Sequence, residues 1–216
     1  MNIRAVLFDL DGTLVNSLAD LTDALNFMLA AFGKNALTTA EVVLLVGKGV
    51  RNLVQRALGS DAPADIERGL GLFVAFNTAH IADKSSLYPG ARELLKALRA
   101  DDLQLAVISN KQESLSRLIL ESLGVAGYFE VICGGDTFPE MKPSPMPLLK
   151  VIEGLGLMPG QTVMIGDSIN DIQAAKQAGI AIIGCTWGYG GLRELTEADH
   201  LADSCPEIVS ILNQLG

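Results

Sequence analysis

Short apolar runs alternate with helical stripes along most of the chain. Five runs rich in β-branched residues predict strands at 3–8, 103–108, 129–133, 162–165 and 180–185. Most of the segments between them carry apolar residues at helical spacing, as Leu94, Leu95 and Leu98 do. Strands that alternate with helices are typical of βαβ units, which build a mainly parallel sheet. The pattern therefore predicts an α/β protein.

One interval interrupts this alternation. Between residue 16 and about residue 86 there is no convincing strand, and the apolar residues of 18–32, 50–58 and 66–76 each keep to one helical face. Segment 42–46 is short and apolar, but its helical neighbourhood favours a helix over a strand. Tyr88-Pro89-Gly90 is a turn signal where the chain returns to the sheet. We predict a Rossmann-like, mainly parallel sheet core at 1–15 and 87–216, with a helical domain inserted at 16–86 over the carboxyl ends of the strands.

Composition and charge narrow the class of function. The 216 residues are 49% hydrophobic and 19% charged, which is enough apolar material for a sizeable core. A net charge of -9 argues against a surface that follows nucleic-acid phosphates. Without an 18-residue uncharged apolar run or a basic leader, we expect neither a membrane span nor export. Cys133, Cys185 and Cys205 lie far apart without a CxxC pair, which disfavours disulfides or zinc and favours the cytoplasm.

Polar residues follow the predicted strands at their carboxyl ends, where parallel α/β sheets bind ligands. Two carboxylates placed two residues apart beside a buried strand repel each other and lose hydration, so a divalent cation is the expected compensation. The candidate site comprises Asp9 and Asp11 after the first run, Ser109, Asn110 and Lys111 after the second, Lys142 between the third and fourth, and Asp167 and Asp171 after the fourth.

These residue types suit a phosphate monoester as substrate. One carboxylate can attack phosphorus while the second gives and takes a proton. Asp167 supplies a further oxygen ligand for Mg²⁺. Ser109 and the amides after it can hold phosphate oxygens at the start of a helix, because the helix dipole favours an anion. Lys142 balances the carboxylates and the charge that develops on the transferred phosphoryl group.

The motifs DLDGT, SN before a lysine, KPSP and GDSINDIQAA resemble the four motifs of the haloacid dehalogenase superfamily, in their usual order across the whole core. The resemblance implies that Asp9 is a nucleophile that forms an aspartyl-phosphate and that Asp11 is the general acid and base. It implies Mg²⁺ held by Asp9, the Asp11 backbone carbonyl and Asp167, with Asp171 ordering the metal waters or Lys142. It also implies that the helical insertion is a cap domain, which closes on the active site.

Within the superfamily, YPGARELLKAL, KPSPMPLL, GDSINDIQAAKQAG and TWGYGG are most similar to the phosphoglycolate phosphatase-like group. Asn16 stands where many of that group have Asp, and Ser109 where many have Thr. Asp11 disfavours a dehalogenase, since a carbon–halogen substrate does not require that acid. In the cap segment VGKGVRNL the glycines allow close approach, and Lys48 and Arg51 are placed to meet a second anionic group such as a carboxylate.

The sequence thus predicts a cytoplasmic, Mg²⁺-dependent phosphatase for a small phosphorylated metabolite, with 2-phosphoglycolate as the favoured substrate. Asn110, Lys111, Lys48 and Arg51 are its predicted substrate-binding residues. The alternatives are a phosphatase for sugar phosphates, nucleotides or pyrophosphate, and a phosphomutase acting on a sugar phosphate. A signalling receiver domain is a third, although it has no use for a helical insertion of this size. We expect a monomer or homodimer without a nucleic-acid or membrane partner.

Overall fold

The computed structural model describes residues 3–215, and a six-stranded sheet lies at its centre. Every neighbouring pair in this sheet is parallel, in the order β5-β4-β1-β6-β7-β8. A separate antiparallel pair joins β2 and β3. The strands are β1 Ala5–Phe8, β2 Val15–Asn16, β3 Ser86–Leu87, β4 Gln104–Ile108, β5 Val131–Cys133, β6 Thr162–Gly166, β7 Ala181–Cys185 and β8 His200–Ala202.

Nine α-helices connect and cover the strands within the described residues. Four of them, α1–α4, precede β3, and we call these the cap helices. Those of the cap are α1 Leu18–Ala31, α2 Thr39–Val42, α3 Gly49–Leu58 and α4 Pro63–Ala79, with a short 3₁₀ turn at Val43–Leu45. The others are α5 Ala91–Ala100, α6 Glu113–Ser122, α7 Met146–Gly154, α8 Ile169–Ala178 and α9 Cys205–Leu215.

The sheet is buried on both faces, which is why its strands read as continuous apolar runs. Successive side chains of a strand point to opposite faces. Accordingly Val6 and Phe8 of β1 belong to one hydrophobic cluster with α5, α6 and α9. Leu7 belongs to a second cluster with α7 and α8 on the other face. This arrangement confirms the predicted α/β fold with a mainly parallel sheet.

The cap helices have a hydrophobic cluster of their own. Leu25 and Met28 of α1, Val54 of α3 and Phe73 of α4 are among its buried members. Gly69 allows α3 and α4 to approach closely, because a Cβ there would lie 2.8 Å from the Val54 side chain. The predicted helix within 42–46 is confirmed, since α2 and the 3₁₀ turn cover it up to residue 45.

Two chain crossings join the cap helices to the core, and they lie side by side. β2 leaves the core and β3 returns to it, paired through Val15 with Leu87 and Asn16 with Ser86. The domain limits predicted at 15/16 and 86/87 fall inside this ribbon. No helix within residues 3–215 combines the length and apolar character needed to cross a membrane.

Candidate active site

The loops that leave β1, β4 and β6 meet at the carboxyl edge of the sheet. They bring Asp9, Ser109 and Asp167 to the floor of one cleft, about 310 Å³ in volume, whose roof comes from the cap helices. Asp11, Lys111 and Lys142 line the same cleft. The predicted core residues therefore converge, because parallel strands end at one edge.

Lys142 links two carboxylates at the bottom of the cleft. Its Nζ donates to Asp9 Oδ1 at 2.8 Å and to Asp171 Oδ1 at 2.7 Å. The lysine side chain is almost completely buried. Burial by itself lowers the pKa of Lys142, but Asp171 and Asp9 raise it above its ordinary value. Lys142 is therefore a fixed positive charge.

Asp171 also fixes the start of α8, because its Oδ2 accepts from the Ser168 amide at 3.1 Å and from Ser168 Oγ at 2.7 Å. With its other oxygen bonded to Lys142, three of its roughly four acceptor positions are in use. The family resemblance implies that Asp171 orders either the metal waters or Lys142. Its hydrogen bond with Lys142 fits the second of these tasks.

Asp167 is enclosed by glycines and held by two donors. Thr13 Oγ1 donates to its Oδ1 at 2.9 Å and the Tyr189 amide to its Oδ2 at 2.7 Å. A Cβ at Gly12 would lie 2.4 Å from Asp167 Oδ2, and one at Gly188 would lie 2.1 Å from Asp167 Cβ. Only glycine at these positions lets both loops close around the carboxylate.

The carboxylates are more numerous than their counter-charges. Burial raises the pKa of Asp9 to about 8, with further contributions from Asp171 and Asp167 against the opposing effect of Lys142. Burial and Asp171 raise the pKa of Asp167 to about 7. With all groups ionised, two negative charges lack a counter-charge among Asp9, Asp11, Asp167, Asp171, Lys111 and Lys142.

This cluster fits a divalent cation in charge and in ligand type. Oxygens of Asp9, Asp167 and Asp171 lie within 4.8 Å of one another, and oxygen is the ligand that Mg²⁺ prefers. Asp9 and Asp167 keep more acceptor positions open than Asp171 does. The Asp11 carbonyl accepts no hydrogen bond from the described residues. The residues present therefore suit the metal set of Asp9, Asp167 and the Asp11 carbonyl.

Asp11 is positioned by two partners. Ser17 Oγ donates to its Oδ1, and Lys111 Nζ lies 3.4 Å from its Oδ2. Tyr189 extends this support, because its hydroxyl accepts from the Ser17 amide at 2.9 Å. Ser17 and Tyr189 have no role in the sequence prediction, although Tyr189 belongs to the TWGYGG motif.

The loop after β4 also joins the cap to the core. Ser109 Oγ accepts from the Lys111 amide at 3.2 Å, which shapes the loop. Asn110 Nδ2 donates to the Gly47 carbonyl at 2.9 Å and to the Lys142 carbonyl at 2.8 Å. Asn170 Nδ2 donates to the same Gly47 carbonyl at 3.2 Å. Asn110, predicted to bind substrate, thus connects the loop after β4 to the 46–49 cap segment and to the loop that carries Lys142.

Lys48 and Arg51, the two cap residues predicted to bind substrate, lie in different places in the structure. Lys48 lines the cleft, but Arg51 does not. The Arg51 guanidinium lies outside, exposed and paired with Glu67. Arg56 of α3 lines the cleft in its place. Sequence alone could not choose between these arginines, because the choice depends on which face of α3 meets the core.

The fold and the site define a parallel α/β protein with a cleft that is lined by buried carboxylates and a lysine, below a helical insertion. A family model described as haloacid dehalogenase-like hydrolase matches residues 6–185. The chain belongs to this family.

The matches to known relatives cover nearly the full length of this chain. A phosphoglycolate phosphatase of Chromobacterium violaceum is 41% identical over 98% of this chain and 97% of its own. The crystal structure of a predicted phosphoglycolate phosphatase from Haemophilus somnus has a TM-score of 0.94 at 32% identity, covering 98% of this chain and 99% of the other. CbbY from Rhodobacter sphaeroides, crystallised with phosphate, has a TM-score of 0.84 at 29% identity, covering 95% and 96%. This chain is therefore an enzyme, in a group whose named members are phosphoric monoester hydrolases.

Proposed function

We propose that the protein is a Mg²⁺-dependent phosphatase that acts through an aspartyl-phosphate on Asp9. The observation that supports the proposal is that Asp9 has one carboxylate oxygen held in place and the other available. Its Oδ1 is held by Lys142, whereas its Oδ2 accepts no hydrogen bond from residues 3–215. An oriented carboxylate with a free oxygen facing a substrate-sized cleft suits nucleophilic attack.

Each residue then has one task. Asp9 Oδ2 forms a bond to phosphorus while the bond from phosphorus to the ester oxygen breaks, and Asp11 gives its proton to that departing oxygen. In the second half, Asp11 takes a proton from water, the water oxygen bonds to phosphorus, and the acyl-phosphate bond breaks to restore Asp9. Lys142 offsets the negative charge on the transferred group. Ser109 and its neighbouring amides bind the phosphate oxygens.

The metal would reduce the electrostatic repulsion between two anions, the nucleophile and the phosphate. Asp9, Asp167 and the Asp11 carbonyl would hold it. Thr13 and the Tyr189 amide keep Asp167 in place for that purpose.

The substrate that we propose is 2-phosphoglycolate, which the enzyme would convert to glycolate and phosphate. Relatives with the name phosphoglycolate phosphatase support this choice, the one from Chromobacterium violaceum being 41% identical. Lys48 and Arg56 line the cleft from the cap, where they would meet the carboxylate of this substrate.

The test measures phosphate release with Mg²⁺ from 2-phosphoglycolate, sugar phosphates, nucleotides and pyrophosphate. We expect the highest kcat/KM with 2-phosphoglycolate, and loss of release on chelation with EDTA that excess Mg²⁺ restores. Asp9→Asn and Asp11→Asn should lower turnover at least about 1000-fold, because each removes a group that makes or breaks a bond. Asp101→Asn, at an exposed position after α5, is the matched control and should keep wild-type activity.

Each part of the proposal can fail separately. A preference for another ester discards 2-phosphoglycolate and keeps the mechanism. Substantial turnover by Asp9→Asn refutes the nucleophile. Activity only with an added sugar bisphosphate indicates a mutase instead.

A further inference from the structure

The upper half of the cleft differs from its floor. The floor is charged, whereas the roof is lined mainly by apolar side chains of the cap, among them Leu21 of α1, Leu53 of α3 and Phe73 of α4, with Lys48 and Arg56 as its charged members. In the proposed function, phosphate binds at the floor, beside Asp9. The roof therefore meets the part of the substrate that leaves.

Asn77 is the one polar side chain of α4 that lines this cleft within the described residues. It lies four positions after Phe73, on the same buried face of the helix. Its exposed fraction is 2%, yet its Oδ1 has no hydrogen-bond partner anywhere in residues 3–215. A buried amide without a partner is unfavourable, and such groups call for a specific explanation.

The surroundings suggest what the amide is for. The cap cluster around it is otherwise apolar, so packing alone would favour Leu or Met at this position. An amide gives the roof one group that can both donate and accept a hydrogen bond. A substrate whose leaving group carries an oxygen far from phosphorus would use it.

We infer that Asn77 is a specificity-determining residue, and that its amide hydrogen-bonds the oxygen-bearing end of the leaving group while phosphate lies at Asp9. This inference rests on the proposed function, in which that end is the carboxylate of 2-phosphoglycolate. The same amide would also bind a hydroxyl group. An ester without such an oxygen gains nothing from Asn77.

The experiment compares kcat/KM for 2-phosphoglycolate and for phenyl phosphate, whose leaving group ends in an apolar ring. Asn77→Ala should lower kcat/KM for 2-phosphoglycolate about 10-fold or more and leave that for phenyl phosphate within about 2-fold. Asn77→Asp should lower the value for 2-phosphoglycolate further, because two carboxylates repel. If the panel shows preference for a hydroxylated ester, that ester replaces 2-phosphoglycolate, and Asn77→Asp should then retain more activity than Asn77→Ala.

Asn52 provides the matched control. Its Oδ1 is also buried without a partner, but the residue lies in a groove outside the cleft, beside Arg51 and Gln173. Asn52→Ala should leave the ratio of the two kcat/KM values unchanged. Asn77→Leu provides a second readout, since removing an unpaired buried amide should keep or raise Tm while selectivity is lost.

The outcomes distinguish a failure of the proposed function from a failure of the inference about Asn77. If wild-type enzyme releases phosphate from no ester, the proposed function fails. If it is active but Asn77→Ala changes both substrates equally, or neither, the inference fails and the proposed function stands. A large drop in Tm for both Asn77→Ala and Asn77→Leu would also overturn it, because Asn77 would then be structural.

Discussion

At the scale of single residues, the site depends on a lysine that is buried between two carboxylates. Lys142 orients Asp9 through one oxygen and leaves the other oxygen without a hydrogen bond from the described residues. Asp171 holds Lys142 from the opposite side. Removing one member of such a buried set leaves the others uncompensated, which is more costly than losing a surface pair. The charges are therefore interdependent, and their geometry depends on close packing around them.

Gly12→Ala tests that packing. The new Cβ would lie 2.4 Å from Asp167 Oδ2, at a backbone φ of +97°. We expect Mg²⁺ to raise the Tm of the wild-type protein, and we expect the substitution to lower Tm and to abolish that rise, because Asp167 must move. Gly179→Ala has a similarly positive φ of +69° but meets nothing within 4 Å. This control should cost only about 1–2 kcal/mol of backbone strain and keep the Mg²⁺ effect. Thermal shift with and without Mg²⁺ measures both, and an unaltered Mg²⁺ effect in Gly12→Ala would contradict the expectation.

The individual residues also show how much of the site could be predicted from the sequence. Asp9, Asp167 and Lys142 were predicted because each follows or lies between core strands, and strand ends of a parallel sheet converge. The sequence predicts Arg51 as a substrate-binding residue, but in the structure Arg51 lies outside the cleft and Arg56 lines it, since the face that α3 turns to the core depends on tertiary packing. The sequence does contain a signal for Asn77 that the prediction does not use, because Asn77 is a polar residue on the apolar face of a helix.

At the scale of elements, the β2–β3 ribbon is the connection between the cap helices and the core. Asp20, near the start of α1, strengthens this connection. Its carboxylate is buried and accepts from the Lys84 amide at 3.1 Å, the Ser85 amide at 2.8 Å and Ser85 Oγ at 2.6 Å. One side chain thereby ties the outgoing helix to the returning strand.

Asp20→Ala should destabilise the protein by about 2–4 kcal/mol, because it leaves buried donors without an acceptor. Asp23→Ala is the control on the same helix. It removes an exposed ion pair with the Lys84 side chain and should cost at most about 1 kcal/mol. Urea unfolding measures the two values. Equal values for the two variants would show that the Asp20 contacts do not hold the connection.

Element prediction succeeded where segments were long or strongly patterned. The five runs of buried strand were found, with β1 beginning at Ala5 instead of residue 3 and β5 at Val131 instead of residue 129. β2 and β3 were missed because each has two residues, too few to show alternation. β8 was missed because its three residues carry little apolar pattern and pair only at the edge of the sheet.

At the scale of the whole molecule, the Gly47 carbonyl gives the cap a contact with the core in addition to the ribbon. Asn110 lies in the loop after β4 and Asn170 in the first turn of α8, and both donate to the Gly47 carbonyl. Because the acceptor is a backbone carbonyl, this contact does not depend on a side chain at residue 47. In the proposed function, core residues would carry out the chemistry and hold the cap, while cap side chains such as Asn77 would determine which substrate is accepted.

The three cysteines allow core opening to be measured separately from cap opening. All three are buried and belong to the core, at β5, β7 and the start of α9, and none lies among the cap helices. Burial raises the pKa of Cys133 and of Cys205 to about 11, and raises that of Cys185 well above its ordinary value. A pKa that is two units higher leaves about 100-fold less thiolate at pH 8, and thiolate is the reactive form. We therefore expect iodoacetamide to label the folded protein very slowly at pH 8, and all three thiols to react together once urea unfolds the core. Mass spectrometry follows the labelling, and fast native reaction of a single cysteine would show that its part of the core opens independently.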